Sequence, residues 1–221
     1  MAYSIKLKHG GSLTTNDKIS CYTFNLSPLR TCRRKPCFGK GCYALGGVLD
    51  PRTGRSGPRY KSVTTSWDRN WSALQKNPLR LCVDISNEIN KRGMKWFRWL
   101  SAGDLTPDLT LVVSAVAGRC PGTKFLVFTK EYELGNMLLD AHKNVSVIFS
   151  TWPGWKENDK LMGSRHAIVV PSDGTNPRGY FTCPGGCEGC RECWKNSKKN
   201  IAFNAHGPFK RRIGTSHTGV R

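Results

Sequence analysis

Acidic residues are scarce in this chain: 15 Asp and Glu stand against 35 Lys and Arg, a formal net charge of +20. So large an excess points to a polyanionic partner, most naturally nucleic acid, with a solvated basic surface as the plainer reading. No apolar run approaches the ~18–20 residues that a membrane helix needs, so no membrane partner is expected. The first ten residues, Met-Ala-Tyr-Ser-Ile-Lys-Leu-Lys-His-Gly, hold no apolar signal core and no cleavage site. Secretion is therefore not expected, and the anticipated setting is the cytoplasm, where thiols stay reduced. A Walker phosphate loop, a His-Glu-x-x-His pair and a nucleophile elbow are all missing, which removes the chemistries those motifs carry. Internal repeats and low-complexity segments are missing too. The 221 residues, 38% hydrophobic and 23% charged, are those of a globular protein long enough to bury a core.

Cysteine, by contrast, is abundant: ten residues, seven of them in two tight groups. Cys32, Cys37 and Cys42 form C-x4-C-x4-C in a stretch rich in Gly, Arg and Lys that ends Cys-Tyr-Ala. Cys183, Cys187, Cys190 and Cys193 form C-x3-C-x2-C-x2-C within eleven residues. Thiolates this close in sequence, separated by Gly and Pro, converge on one metal at little cost in chain entropy. Three thiolates leave one position of a 4Fe–4S cluster open to a small molecule, whereas structural zinc wants a fourth ligand, for which Cys21 and Cys82 are candidates. The successive C-x2-C steps of the second group are ferredoxin-like and predict a second 4Fe–4S cluster, with zinc as the alternative. Four ligands would close that site, making it structural or electron-transferring.

Residues 1–18 read as irregular and polar. Ile19–Leu26 alternates like a strand, and 50–60 is a Pro/Gly/Arg loop. Apolar spacing between Ser66 and Arg92 predicts two helices divided at Pro78. Strands over 96–100, 124–129, 145–150, 166–170 and 200–204 then alternate with helices over 107–118 and 132–142. Such runs, buried on both faces, predict an α/β fold with a parallel sheet. Six strands suit a partial (β/α)6 barrel, with an open Rossmann-like sheet as the alternative. The expected division is a β/α core over 1–180 and a Cys-rich module with the last strand and a basic tail over 181–221.

Ligands of β/α folds sit at the carboxyl ends of strands. There Ser101, Gly103 and Asp104 follow the strand at 96–100, with Gly103 allowing close backbone approach and Asp104 able to accept from an ammonium or hydroxyl. In the plainer reading Asp104 or Thr106 caps the helix beginning near Pro107. Thr129 with Lys130, and Ser150 with Thr151, end later strands and are candidate cofactor or substrate contacts. Trp152 and Trp155 could stack on a base, and His206 could line the active face. Cys120 reads as a buried small residue, and the tail from Lys210 to Arg221 as a phosphate-contacting arm.

The three-cysteine loop followed by Ala102-Gly103-Asp104 resembles the radical S-adenosylmethionine enzymes. The resemblance implies a 4Fe–4S cluster on Cys32, Cys37 and Cys42, and S-adenosylmethionine held by the Gly-acidic motif. One electron from the cluster would cleave the sulfonium, and the resulting adenosyl radical would take hydrogen from substrate. The spacing departs from the C-x3-C-x2-C of that superfamily, and Asp104 is one methylene shorter than its usual Glu. A wider resemblance is to a phage family of unassigned activity, gene product 88. It rests on Cys32/Cys37/Cys42-Tyr43-Ala44, Arg98 through Asp104, Phe128-Thr129-Lys130, Cys187/Cys190/Cys193 and Phe203 through His206. It implies a phage-encoded protein of the host cytoplasm. The expected function is a radical S-adenosylmethionine-like iron–sulfur enzyme whose substrate is unidentified, with a nucleic acid or nucleotide favoured by the charge. The alternatives are a non-catalytic nucleic-acid-binding protein with structural metal and a two-cluster electron carrier. Catalytic side chains and oligomeric state leave no mark in the sequence.

Overall fold

The computed structural model describes residues 4–16, 18–38, 42, 44, 58–152, 154–161, 164–171, 176–195 and 197–205. His206, Tyr43, the stretch 50–57 and the basic tail lie outside them. Strands β1 (Ser4–Lys6), β2 (Ser12–Asn16) and β3 (Cys21–Phe24) are followed by the short α1 (Pro28–Thr31). Two long helices, α2 (Pro58–Lys76) and α3 (Pro78–Lys91), lead to β4 (Trp96–Trp99). Then α4 (Pro107–Arg119), β5 (Lys124–Thr129), α5 (Tyr132–Ala141), β6 (Val145–Ser150) and β7 (His166–Val170) alternate, and β8 (Tyr180–Thr182) and β9 (Asn200–Asn204) complete the chain.

All nine strands form one open sheet in the order β1-β2-β3-β4-β5-β6-β7-β9-β8. From β3 to β7 each strand pairs in parallel with the next in chain order, β9 is parallel to both β7 and β8, and β1–β2–β3 are antiparallel. The expectation of six strands and an irregular start is corrected here. Residues 4–16 form a hairpin turned by Gly10 and Gly11, both at positive φ, and β8 is a further strand too short to show in the sequence. Helix α2 begins at Pro58, nine residues before Trp67, so residues 58–60 of the expected Pro/Gly/Arg loop are helical instead.

Strand alternation divides the sheet into two buried faces. Phe24, Phe97, Trp99, Phe125, Val127, Val147 and Phe149 pack with Leu74, Ile85, Val113 and Leu138 of the helices. The intervening residues Leu126, Ile148, Ala167 and Ile201 pack instead with Trp194 and three cysteines of the C-terminal group. Helices α3 and α4 start as their sequences predict, with Pro at the first position behind a side-chain cap. Asn77 accepts from Arg80 N–H at 3.0 Å and Thr106 from Leu109 N–H at 3.2 Å. The cap of α4 is thus Thr106, which frees Asp104 for another task. No helix among the described residues is long and apolar enough to cross a membrane.

Candidate functional site

The carboxyl ends of β3, β4 and β5 meet around Asp104, which is 5% exposed. Its Oδ1 accepts from Thr129 Oγ1 at 2.5 Å and Leu105 N–H at 2.9 Å, and Lys130 N–H reaches Oδ2 at 3.1 Å. Its own N–H donates to Thr31 Oγ1 at 3.0 Å, so α1 is tied to the same point. Burial pushes the Asp104 carboxyl up, against the Thr129 hydroxyl and the charges of Lys130 and Lys35. The preceding backbone is bent to make this loop. Leu100, a bulky residue, sits at φ +60°, a costly conformation of the sort concentrated at functional loops. Gly103 sits at φ +88°, and a Cβ there would lie 2.7 Å from Leu26 O. That glycine is required by the neighbouring strand end.

The first cysteine group lies against this loop. Cys42 packs with Ala44, Trp67 and Ala102. Cys32, just after α1, stands 3.5 Å from Thr31 Oγ1, and its thiol is pushed up to about 12 by burial and, second, by the negative charge of Asp104. Cys37 is raised by a hydrogen bond with the Cys42 thiol and then by burial, with the Lys130 charge opposing. Lys35, between the first two cysteines, reaches Glu131 Oε1 at 2.6 Å and Lys130 O at 3.3 Å, and lies over the Trp155 ring at 5.8 Å. The loop is therefore fastened to the start of α5. Trp155 also packs on Tyr132, whose hydroxyl donates to Ser150 O at 3.1 Å.

Of the residues expected at the first site, Cys32, Cys37, Cys42, Gly103, Asp104 and Thr129 come together. Ser101 is half-buried in the same loop, and Ser150 joins through its carbonyl rather than its hydroxyl. Trp155 serves packing, and the Trp152 backbone is held by Asn158. Neither candidate for a fourth ligand is there. Cys82 lies in the helical layer with Cys120, which is buried as expected. Cys21 lies on the other face of the sheet, beside the second cysteine group.

That second group covers the face opposite the helices. Cys21, Cys183, Cys187 and Cys193 pack with Trp96, Phe128, Phe203 and Trp194. The segment is stapled down by two arginines. Arg165 donates to the carbonyls of Glu192, Lys195 and Lys199 at 3.0, 2.8 and 2.9 Å. Arg191 donates to Ile19 O and Ser20 O, both at 3.1 Å, and lies 5.2 Å over the Trp96 and Trp194 rings. Ser146 Oγ adds a bond to Cys193 O at 2.7 Å. Burial pushes Cys21 and Cys193 each up to about 12, against Arg98 and Arg191 for the first and chiefly Arg165 for the second. The sequence offers Cys21 to the first centre and marks Arg98 only as part of a motif; alternation sets both on this face instead, since Cys21 is two residues from Thr23, which is in register with Arg98. Among the described residues, no three His, Cys, Asp or Glu side chains converge tightly enough to hold a single ion.

A family model described as Gene product 88 matches residues 3–207. No curated protein and no solved structure matches the chain.

Proposed function

The chain belongs to the Gene product 88 family, and from that premise we propose that it is a phage-encoded iron–sulfur enzyme with radical S-adenosylmethionine-like chemistry. One observation carries the reading: Cys42 packs on Ala102 and Cys32 stands beside Asp104 at the strand ends, while Cys21 and Cys82 are turned elsewhere. Three thiolates at a strand-end loop are the donor set of a cluster with one open iron. The parallel strands added in chain order are compatible with a partial β/α barrel, and in β/α folds the carboxyl end of the strands is where ligands sit.

Cys32, Cys37 and Cys42 would hold the first cluster, and the C-terminal thiols a second one. When bound, the first centre supplies single electrons for cleavage of the sulfonium. The chain's own residues do the rest. Asp104 Oδ2, which accepts from Lys130 N–H among the described residues, has capacity for the cofactor's ammonium. Thr129 and Leu105 fix the orientation of that carboxylate, while Ser101, Gly103 and Ser150 shape the surrounding rim. Lys35 and Glu131 lock the cysteine loop, and Trp155 and Tyr132 form an aromatic wall that keeps water out.

A nucleic-acid or nucleotide substrate fits the net charge of +20. The same charge favours the second reading, a nucleic-acid-binding protein whose metal is structural. Anaerobic purification with iron, sulfide and zinc analysis separates the two. Iron with equimolar sulfide, visible absorbance bleached by dithionite and release of 5′-deoxyadenosine from S-adenosylmethionine are expected, and Cys42→Ala should lose the first centre. A colourless zinc protein that binds DNA or RNA in a salt-dependent way would favour the second reading instead.

A further inference from the structure

The site at the strand ends leaves unused one residue of the Arg98-to-Asp104 stretch, Arg98 itself. Its side chain rises from β4 on the face opposite the helices and lies 4.9 Å over the Phe128 ring. Its Nε is buried with no hydrogen-bond partner among the described residues. A buried guanidinium N–H left without an acceptor is expensive, so a donor aimed at such a place implies an acceptor that arrives with a ligand. The groups around it are thiols: the Phe128 ring on which it lies packs in one cluster with Cys21, Cys183, Cys187 and Cys193.

We infer that the C-terminal metal centre is completed from the sheet: Cys21 of β3 is its fourth thiolate beside Cys183, Cys187 and Cys193, and Arg98 of β4 is the cation that faces it. This rests on the metal-centre reading above. These four cysteines pack as one group with Phe128, Phe203 and Trp194, whereas Cys190 is outside it. Five thiols are one more than a cubane takes, and Cys190 is the spare. The chain brings Cys21 there deliberately. Cys187 N–H donates to Lys18 O at 2.8 Å, and Arg191 holds Ile19 O and Ser20 O, so the lead-in to β3 and the C-terminal segment are sewn together.

The charges explain why an arginine is needed. A metal core bearing four thiolates is a net anion, and enclosing it between aromatic rings is costly unless a cation faces it. Arg165 and Arg191 spend their N–H groups on carbonyls and hold the backbone in place. Arg98 is left to donate to the thiolate sulfurs or the sulfides of the core.

Cysteine protection tests this without a variant that must fold. Wild-type protein is alkylated anaerobically, metal-free and after loading with iron and sulfide, and each cysteine is read by mass spectrometry. Loading should slow labelling of Cys21, Cys183, Cys187 and Cys193 by about tenfold or more, with Cys190 unchanged. An unprotected Cys21, or a protected Cys190, overturns the ligand assignment while leaving a metal centre in the module. If Cys183, Cys187 and Cys193 also gain nothing, the metal-centre reading of the module itself fails. For Arg98, removing a positive charge beside the centre disfavours its more negative reduced form. Arg98→Gln should therefore move the module's reduction midpoint to a more negative value, and Arg98→Lys should largely restore it. A midpoint that stays put in Arg98→Gln rejects the role of Arg98.

Discussion

Thr129 donates its hydroxyl to Oδ1 of the buried Asp104 at 2.5 Å, so the end of β5 and the loop after β4 are held by one short bond. The Thr129 oxygen in turn accepts from Glu131 N–H at 2.9 Å, which fixes the start of α5. Replacing it with valine keeps the shape and removes both roles. Thr129→Val should lose about 1–3 kcal/mol in urea denaturation, and Thr129→Ser should recover most of it.

Asp104 also gives the metal-free protein a pH signature. Burial raises its carboxyl above the ordinary 3.8, so the folded state holds the proton more tightly than the unfolded chain does. Its favourable contribution is complete below 3.8 and is lost as pH rises through the raised value. Stability curves of wild type and Asp104→Asn, taken from acid to neutral pH, should converge in shape except for this decline, which the variant lacks. Parallel curves over the whole range would count against the assignment.

Asn70 of α2 carries the hairpin. Its Oδ1 accepts from Ser12 N–H at 2.6 Å, and its Nδ2 donates to Ser12 O at 3.1 Å and Asn25 O at 2.8 Å, all buried. Asn70→Ala leaves these groups unpaired and should cost about 2–3 kcal/mol. Hydrogen exchange should show the loss first at the Ser12 amide.

Gly103 and Gly122 make a contrasting pair. A methyl at Gly103 meets Leu26 O at 2.7 Å in a backbone of φ +88°, whereas one at Gly122 meets nothing within 4 Å. Gly103→Ala should destabilise by about 1–3 kcal/mol or more, and Gly122→Ala should be neutral or slightly stabilising. Thermal unfolding of the two variants checks this directly.

In the metal-free protein Cys32 should be a poor nucleophile. A thiol raised from 9.0 to about 12 has a thiolate fraction near neutral pH lower by about a thousandfold. Iodoacetamide should therefore label Cys32 far more slowly than the half-exposed Cys190, and mild urea should remove the difference.

Much of the architecture was legible because it rests on local pattern. Phe125 to Phe128 and Val145 to Phe149 are apolar on both faces, the mark of a strand covered twice, and Pro78 and Pro107 announce helices whose caps, Asn77 and Thr106, stand just before them. The β1–β2 hairpin was not legible. Its strands are short, and the residues that bury it, Ile5, Leu7 and Leu13, are too few to outweigh the surrounding Lys, His and Gly. Gly10-Gly11 was the available sign. The contacts of Asp104 were only half visible: its place after β4 was legible, but a carboxylate before a helix looks like a cap whether or not another strand claims it.

Local composition, then, determined by itself the number and spacing of thiols, the basic charge and the alternation of strands and helices, because each depends on residues near one another in the chain. Which thiols lie on the same face of the sheet was decided only in three dimensions. Cys21 is eleven residues from Cys32 and far from Cys187 in sequence, yet strand alternation and the open, chain-ordered sheet carry it to the opposite face and set it beside Cys187 and Arg98. A side chain's face is fixed by register with its neighbours, and register exists only once the strands have paired.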